Sequence, residues 1–152
     1  MQGRKDYTQQ ELDHAKTAVD RQLAAYHQLI EAIGSAISDP KVRSAVEAFE
    51  PLFCNNMTLA LDRYFVHRPR VVTGKDGNPL NEVELLTESL MNNHGVLRGN
   101  NVVKFVPGES VLKLNIGDRI GLTAEQFGRL ASAFLAEIES KFLRTRSPDQ
   151  NK

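Results

Sequence analysis

The chain has 152 residues, 41% hydrophobic and 25% charged, the balance of an ordinary globular protein long enough to bury a core without disulfide or metal staples. Nineteen basic residues offset nineteen acidic ones, and a formal net charge of zero argues against a protein built mainly to coat nucleic acid or an anionic membrane. The single cysteine, Cys54, excludes an intrachain disulfide and is expected to behave as a small buried hydrophobe.

No stretch approaches the ~20 apolar residues of a membrane span. The opening MQGRKDYTQQ lacks the apolar centre of a signal peptide, so the expected location is cytoplasmic. One domain over residues 1–152 is expected, with flexible tails at 1–6 and 144–152.

The first helix opens at Thr8, where Thr8 and Glu11 form a capping-box pattern. Leu12, Ala15, Val19, Leu23, Tyr26, Ile30, Ile33 and Ile37 recur at threes and fours, a seam suited to a bundle or to a dimer. Gly34 and Ser35 weaken its last turn. Asp39 followed by Pro40 starts the second helix. One apolar row, Val42, Val46, Phe49, Phe53, Met57, Ala60 and Tyr64, is widened by a second, Ala45, Ala48, Leu52 and Leu59. A face that broad predicts a central helix packed against several neighbours, kinked or tightly broken at Pro51.

Leu52 to Arg68 carries the polar residues that stand out. Asn56, Arg63 and His67 fall within or beside the apolar arc, at spacings of seven and four. A buried guanidinium needs a carboxylate or several carbonyls. In the structural interpretation Arg63 reaches a carboxylate on another helix and His67 caps the helix C-terminus. In the functional one, Asn56, Arg63 and His67 line a pocket for a small anion. Arg68 and Arg70, with Lys75, form a basic loop that is either a solvated turn or a holder for a phosphate, a carboxylate or an RNA backbone.

Past Pro69, Lys75-Asp76-Gly77-Asn78 is turn chemistry, and Val71 to Thr73 reads as a short extended piece. A third helix is expected from Pro79 to about Asn93, with Leu80, Val83, Leu86 and Leu90 inward and Gly95 just past its end. Residues 96–122 change character. Val102 to Val106 and Val111 to Ile116 are strand-like and are joined by Pro107-Gly108-Glu109-Ser110, which predicts a small antiparallel meander. Thr123 and Gln126 form a second capping box for a last helix reaching about Leu143, with Phe127, Leu130, Ala131, Phe134, Ile138 and Phe142 inward.

No signature of catalysis or of a cofactor emerges. Glu11 and His14 share the ExxH spacing of di-iron bundles, but it occurs once and off the inner seam. The four histidines show no zinc-ligand spacing, and no GxSxG, GxxxxGK or GxGxxG occurs. The runs DRYFVHR, GKDGNPLNEVELL and SVLKLNIGD resemble those of small bacterial proteins of unknown function, a resemblance covering most of the chain after Leu52 and implying only a cytoplasmic bacterial protein.

The expected fold is therefore mainly α, a four-helix bundle-like domain with a small antiparallel β-meander inserted before the last helix. The expected function is a non-catalytic interaction or oligomerisation module, as a homodimer, without metal or cofactor and without membrane or nucleic-acid partners. The alternative is a protein or enzyme binding a small anionic ligand through Asn56, Arg63, His67, Arg68 and Arg70.

Overall fold

A computed structural model describes Arg4 and residues 6–143 of the chain. The expected tails at 1–6 and 144–152 otherwise lie outside the described residues. Among the described residues five α-helices run in chain order: α1 (Gln9–Ile33), α2 (Pro40–Arg63), α3 (Arg70–Thr73), α4 (Pro79–Asn92) and α5 (Ala124–Phe142).

Their starts follow from side chains that satisfy the free amides of a first turn. Thr8 and Glu11 close a reciprocal capping box on α1, as Thr123 and Gln126 do on α5. Asp39 accepts from the amide of Lys41 ahead of α2, and Asn78 accepts from Leu80 and Asn81 ahead of α4. Gly95, in the left-handed region at φ 78°, donates to the carbonyl of Ser89 and ends α4. α2 continues as one helix through Pro51.

α5 packs against α1, α2 and α4. It buries Phe127, Leu130, Ala131, Phe134, Leu135, Ile138 and Phe142, and fully burying a side chain such as Phe contributes about 1.5–3 kcal/mol. α4 adds Leu80, Val83, Leu85 and Leu86, and α1 adds Leu12, Ala15, Val19 and Tyr26. Tyr7 also enters this core, 1% exposed, between the rings of Phe65 and Phe142 at 5.1 and 5.0 Å. α2 contributes Cys54, Met57, Thr58 and Leu61 from its second half alone.

The expected antiparallel meander over residues 96–122 is not formed. Among the described residues there are no β-strands, only isolated bridges such as Val96 with Arg119 and Asp76 with Lys104. Side chains take the backbone donors that a ladder would need. Asn100 Oδ1 accepts from the amides of Val102 and Val103. The Glu82 carboxylate accepts from Val111 and Leu112, Ser110 Oγ from Lys113, and Asn55 Oδ1 from Leu122. The segment is a pinned loop that drops Leu97, Val103, Leu112, Ile120 and Leu122 singly into the core. Residues 71–73, expected to be extended, form the single helical turn of α3.

Candidate functional site

The C-terminal end of α2, the loop that follows it, α4 and residues 98–100 enclose an open groove of about 630 Å³. Its rim is built on a backbone held from the N-terminus. The Tyr7 hydroxyl donates to the carbonyl of Val66 at 2.8 Å, and the amide of Arg4 donates to the carbonyl of His67 at 2.8 Å. Arg4 is fixed in turn by a two-pronged pair with Glu11 at 2.6 and 2.8 Å, which holds the Glu11 carboxyl down at about 2. His67 sits at φ 63°, in the left-handed region.

Of the five residues singled out from the sequence, Arg63, His67, Arg68 and Arg70 line this groove and Asn56 does not. Asn56, Arg63 and His67 are all exposed, although the helical wheel puts them within or beside the apolar arc. The second half of α2 instead turns Cys54, Met57, Thr58 and Leu61 to the core, and the helix ends at Arg63, so the wheel does not extend to His67.

Arg68 and Arg70 are committed inside the fold. Arg68, its side chain 9% exposed, donates to the carbonyls of Asp62 and Phe65 at 3.3 and 2.8 Å and to Asp62 Oδ1 at 2.7 Å. It also lies 5.2 Å over the ring of Phe134. It thereby closes the loose carbonyls at the end of α2. Arg70 grips both oxygens of Glu84 at 2.9 and 2.7 Å and donates to Asn81 Oδ1 at 2.8 Å. Asn81, 1% exposed, donates onward to the carbonyls of Thr73, Gly74 and Asp76 and so locks the turn before α4. Of the basic loop, then, Arg68 and Arg70 are neutralised at contact distance, leaving Lys75 exposed.

Asn81, Glu84, Arg98 and the Arg4–Tyr7 anchor escape the sequence reading. Their partners lie between about 7 and 59 residues away along the chain, beyond any helical spacing. Among the described residues no group of three or more His, Cys, Asp and Glu side chains is placed to hold a metal ion. Glu11 pairs with Arg4, and His14 packs edge-on against Tyr64 at 6.0 Å.

The second notable region is apolar. Between Tyr26 and Cys54 no residue is buried, although this stretch holds the last turns of α1 and the first half of α2. Leu29 is 49% exposed, Phe49 44% and Leu52 65%. Tyr26, Phe53 and Phe49 stack in a row at 6.0 and 5.4 Å. Beside Leu52 a groove of about 520 Å³ is lined by Ala48, Leu90, His94 and Ile120 among others. These two helical halves form an arm that leans on the core through Ile30 and Phe53 and through the Ala124 amide on Glu50, and leaves Leu29, Phe49 and Leu52 exposed. No protein-family model matches the chain, and no curated protein or solved structure matches it.

Proposed function

We propose that the chain is a non-catalytic helical interaction module that pairs with a second copy of itself through the outer face of the arm. The observation that carries this reading is the run from His27 to Phe53, which holds Leu29, Phe49 and Leu52 yet buries nothing. Two helices side by side cannot cover their own apolar faces, and helical stability in a folded protein comes chiefly from burying such a face.

Ala45, Phe49, Leu52 and Asn56 recur at fours and threes, with Ala48 beside them, and the stripe carries no charge. A two-fold axis sets that stripe against its own copy, so a neutral apolar stripe meets no like charge.

The test is light scattering of the full chain from low to high micromolar concentration, beside the double variant Phe49→Glu, Leu52→Glu. A concentration-dependent dimer that the double variant abolishes, with unchanged helix content, supports the reading. A strictly monomeric wild type, or a dimer the double variant leaves intact, overturns it.

A further inference from the structure

The groove at the end of α2 divides its polar groups unevenly. Its acceptors are largely taken: both oxygens of Glu84 by Arg70, Asp62 Oδ1 by Arg68. Asp62 and Glu88 each keep one oxygen, and the other groups left over are donors. Arg63 and His67 line the groove, are exposed, and their side chains have no hydrogen bond or ion pair among the described residues. Asn100 uses its Oδ1 on the amides of Val102 and Val103, which leaves its NH₂ to donate. Arg98 meets Glu88 at 3.5 Å with both side chains half exposed, a contact that solvent and competing anions readily exchange.

We propose that this groove binds the phosphate group of a small organic phosphate, with Arg63 and His67 on one wall and Arg98 and Asn100 on the other. A guanidinium fork and neutral N–H donors suit the oxygens of a phosphate monoester. The backbone of both walls is fixed before a ligand arrives, which lowers part of the ordering cost of binding. Arg4 and Tyr7 fasten the backbone at Val66 and His67, and the Arg98 amide donates to Ser89 Oγ at 2.9 Å. The volume of about 630 Å³ lies within the range of metabolite sites. A polyanion fits less well, because Asp62, Glu84 and Glu88 line the same groove and an extended phosphate backbone would have to pass them.

The experiment is a ¹H–¹⁵N titration of the full chain with inorganic phosphate and with glycerol phosphate, against sodium chloride at matched ionic strength. Saturable shifts at the amides of Arg63, His67 and residues 98–100 are expected with both phosphates and not with chloride. Arg63→Gln should weaken binding about tenfold, the scale of one charge-assisted hydrogen bond, without lowering Tm. His67→Asn tests the other donor with a residue that tolerates the left-handed backbone. Non-saturating shifts shared with chloride, shifts elsewhere on the chain, or full affinity in both variants overturn the proposal. A short single-stranded oligonucleotide that moves the same amides at lower concentration than glycerol phosphate also overturns it, in favour of a polyanion.

Discussion

The carboxylate of Glu82 accepts the backbone amide of Val111 at 2.8 Å, across 29 residues of chain, and its second oxygen accepts Leu112 at 3.1 Å. Glu82 is 3% exposed, so a carboxyl group on the inner side of α4 does the work that a neighbouring strand would otherwise do for the amides of Val111 and Leu112. Removing it strands one buried donor, the amide of Leu112, and one part-buried donor, that of Val111. Glu82→Ala should cost about 3 kcal/mol, and Glu82→Gln, which keeps one acceptor oxygen, about half of that. Urea unfolding of the two variants checks both values. A loss under about 0.5 kcal/mol in Glu82→Ala would mean that the loop finds other acceptors.

Two carboxylates should give the acid limb of stability opposite slopes. The Arg4 guanidinium holds Glu11 down at about 2 against an ordinary 4.5, so its contribution is present above pH 4.5 and is lost as pH falls toward 2. Burial pushes Glu82 up, against the pull of its two amide partners, so its contribution is full below pH 4.5 and is lost as pH rises through the folded value. The advantage of the wild type over Glu11→Gln should therefore vanish toward pH 2, while its advantage over Glu82→Gln should shrink above pH 4.5. The Glu11 effect is small, about 0.5 kcal/mol, because Arg4 and Glu11 are 44% and 35% exposed and solvent screens them. Chemical denaturation between pH 2.5 and 7 reads both slopes.

Arg63 and Arg68 are five residues apart and should behave oppositely. Arg63→Ala removes an exposed side chain without an ion pair among the described residues and should change stability by less than about 0.5 kcal/mol. Arg68→Ala strips the Asp62 pair, two carbonyl contacts and the ring of Phe134 from a side chain only 9% exposed, and should cost about 3 kcal/mol. Thermal melts of the pair decide it, and equal losses would contradict the division of the groove into bound and free cations.

Cys54 should be inert while the chain is folded. It is fully buried, and burial, with a smaller push from Glu50, raises its thiol to about 11. At pH 8 a thiol reagent should react only through unfolding, so labelling should be slow in buffer and fast in urea. Rapid labelling of the native protein would show that α2 opens locally around Cys54.

Much of the helical frame was legible in the chain. Thr8 with Glu11, Asp39 with Pro40, Asn78 with Pro79, and Thr123 with Gln126 each start a helix, because a cap and the amide it satisfies lie within four residues. The inward row of α5 is likewise a property of one helix. The strand-like run at 102–116 misled because β-propensity reports a fit to a half-buried surface, whereas the hydrogen bonds that make a sheet come from elsewhere in the chain. Here Asn100, Glu82 and Ser110 take those donors first.

The groove divides along the same line. Arg63, His67, Arg68 and Arg70 stand out in the sequence as polar groups near one helix end, but local spacing treats them alike. Tertiary structure separates them: Asp62 and the carbonyls closing α2 claim Arg68, Glu84 and Asn81 claim Arg70, and Arg63 and His67 keep free donors. It also uncovers Phe49 and Leu52, whose periodicity predicts burial equally well for a core and for a face awaiting a second chain. By itself the sequence determined where helices begin and which side of each is apolar, because those depend on neighbours within one or two turns. Which apolar sides are covered, and which charges are paired, was decided only by the tertiary structure, because both depend on contacts between distant parts of the chain.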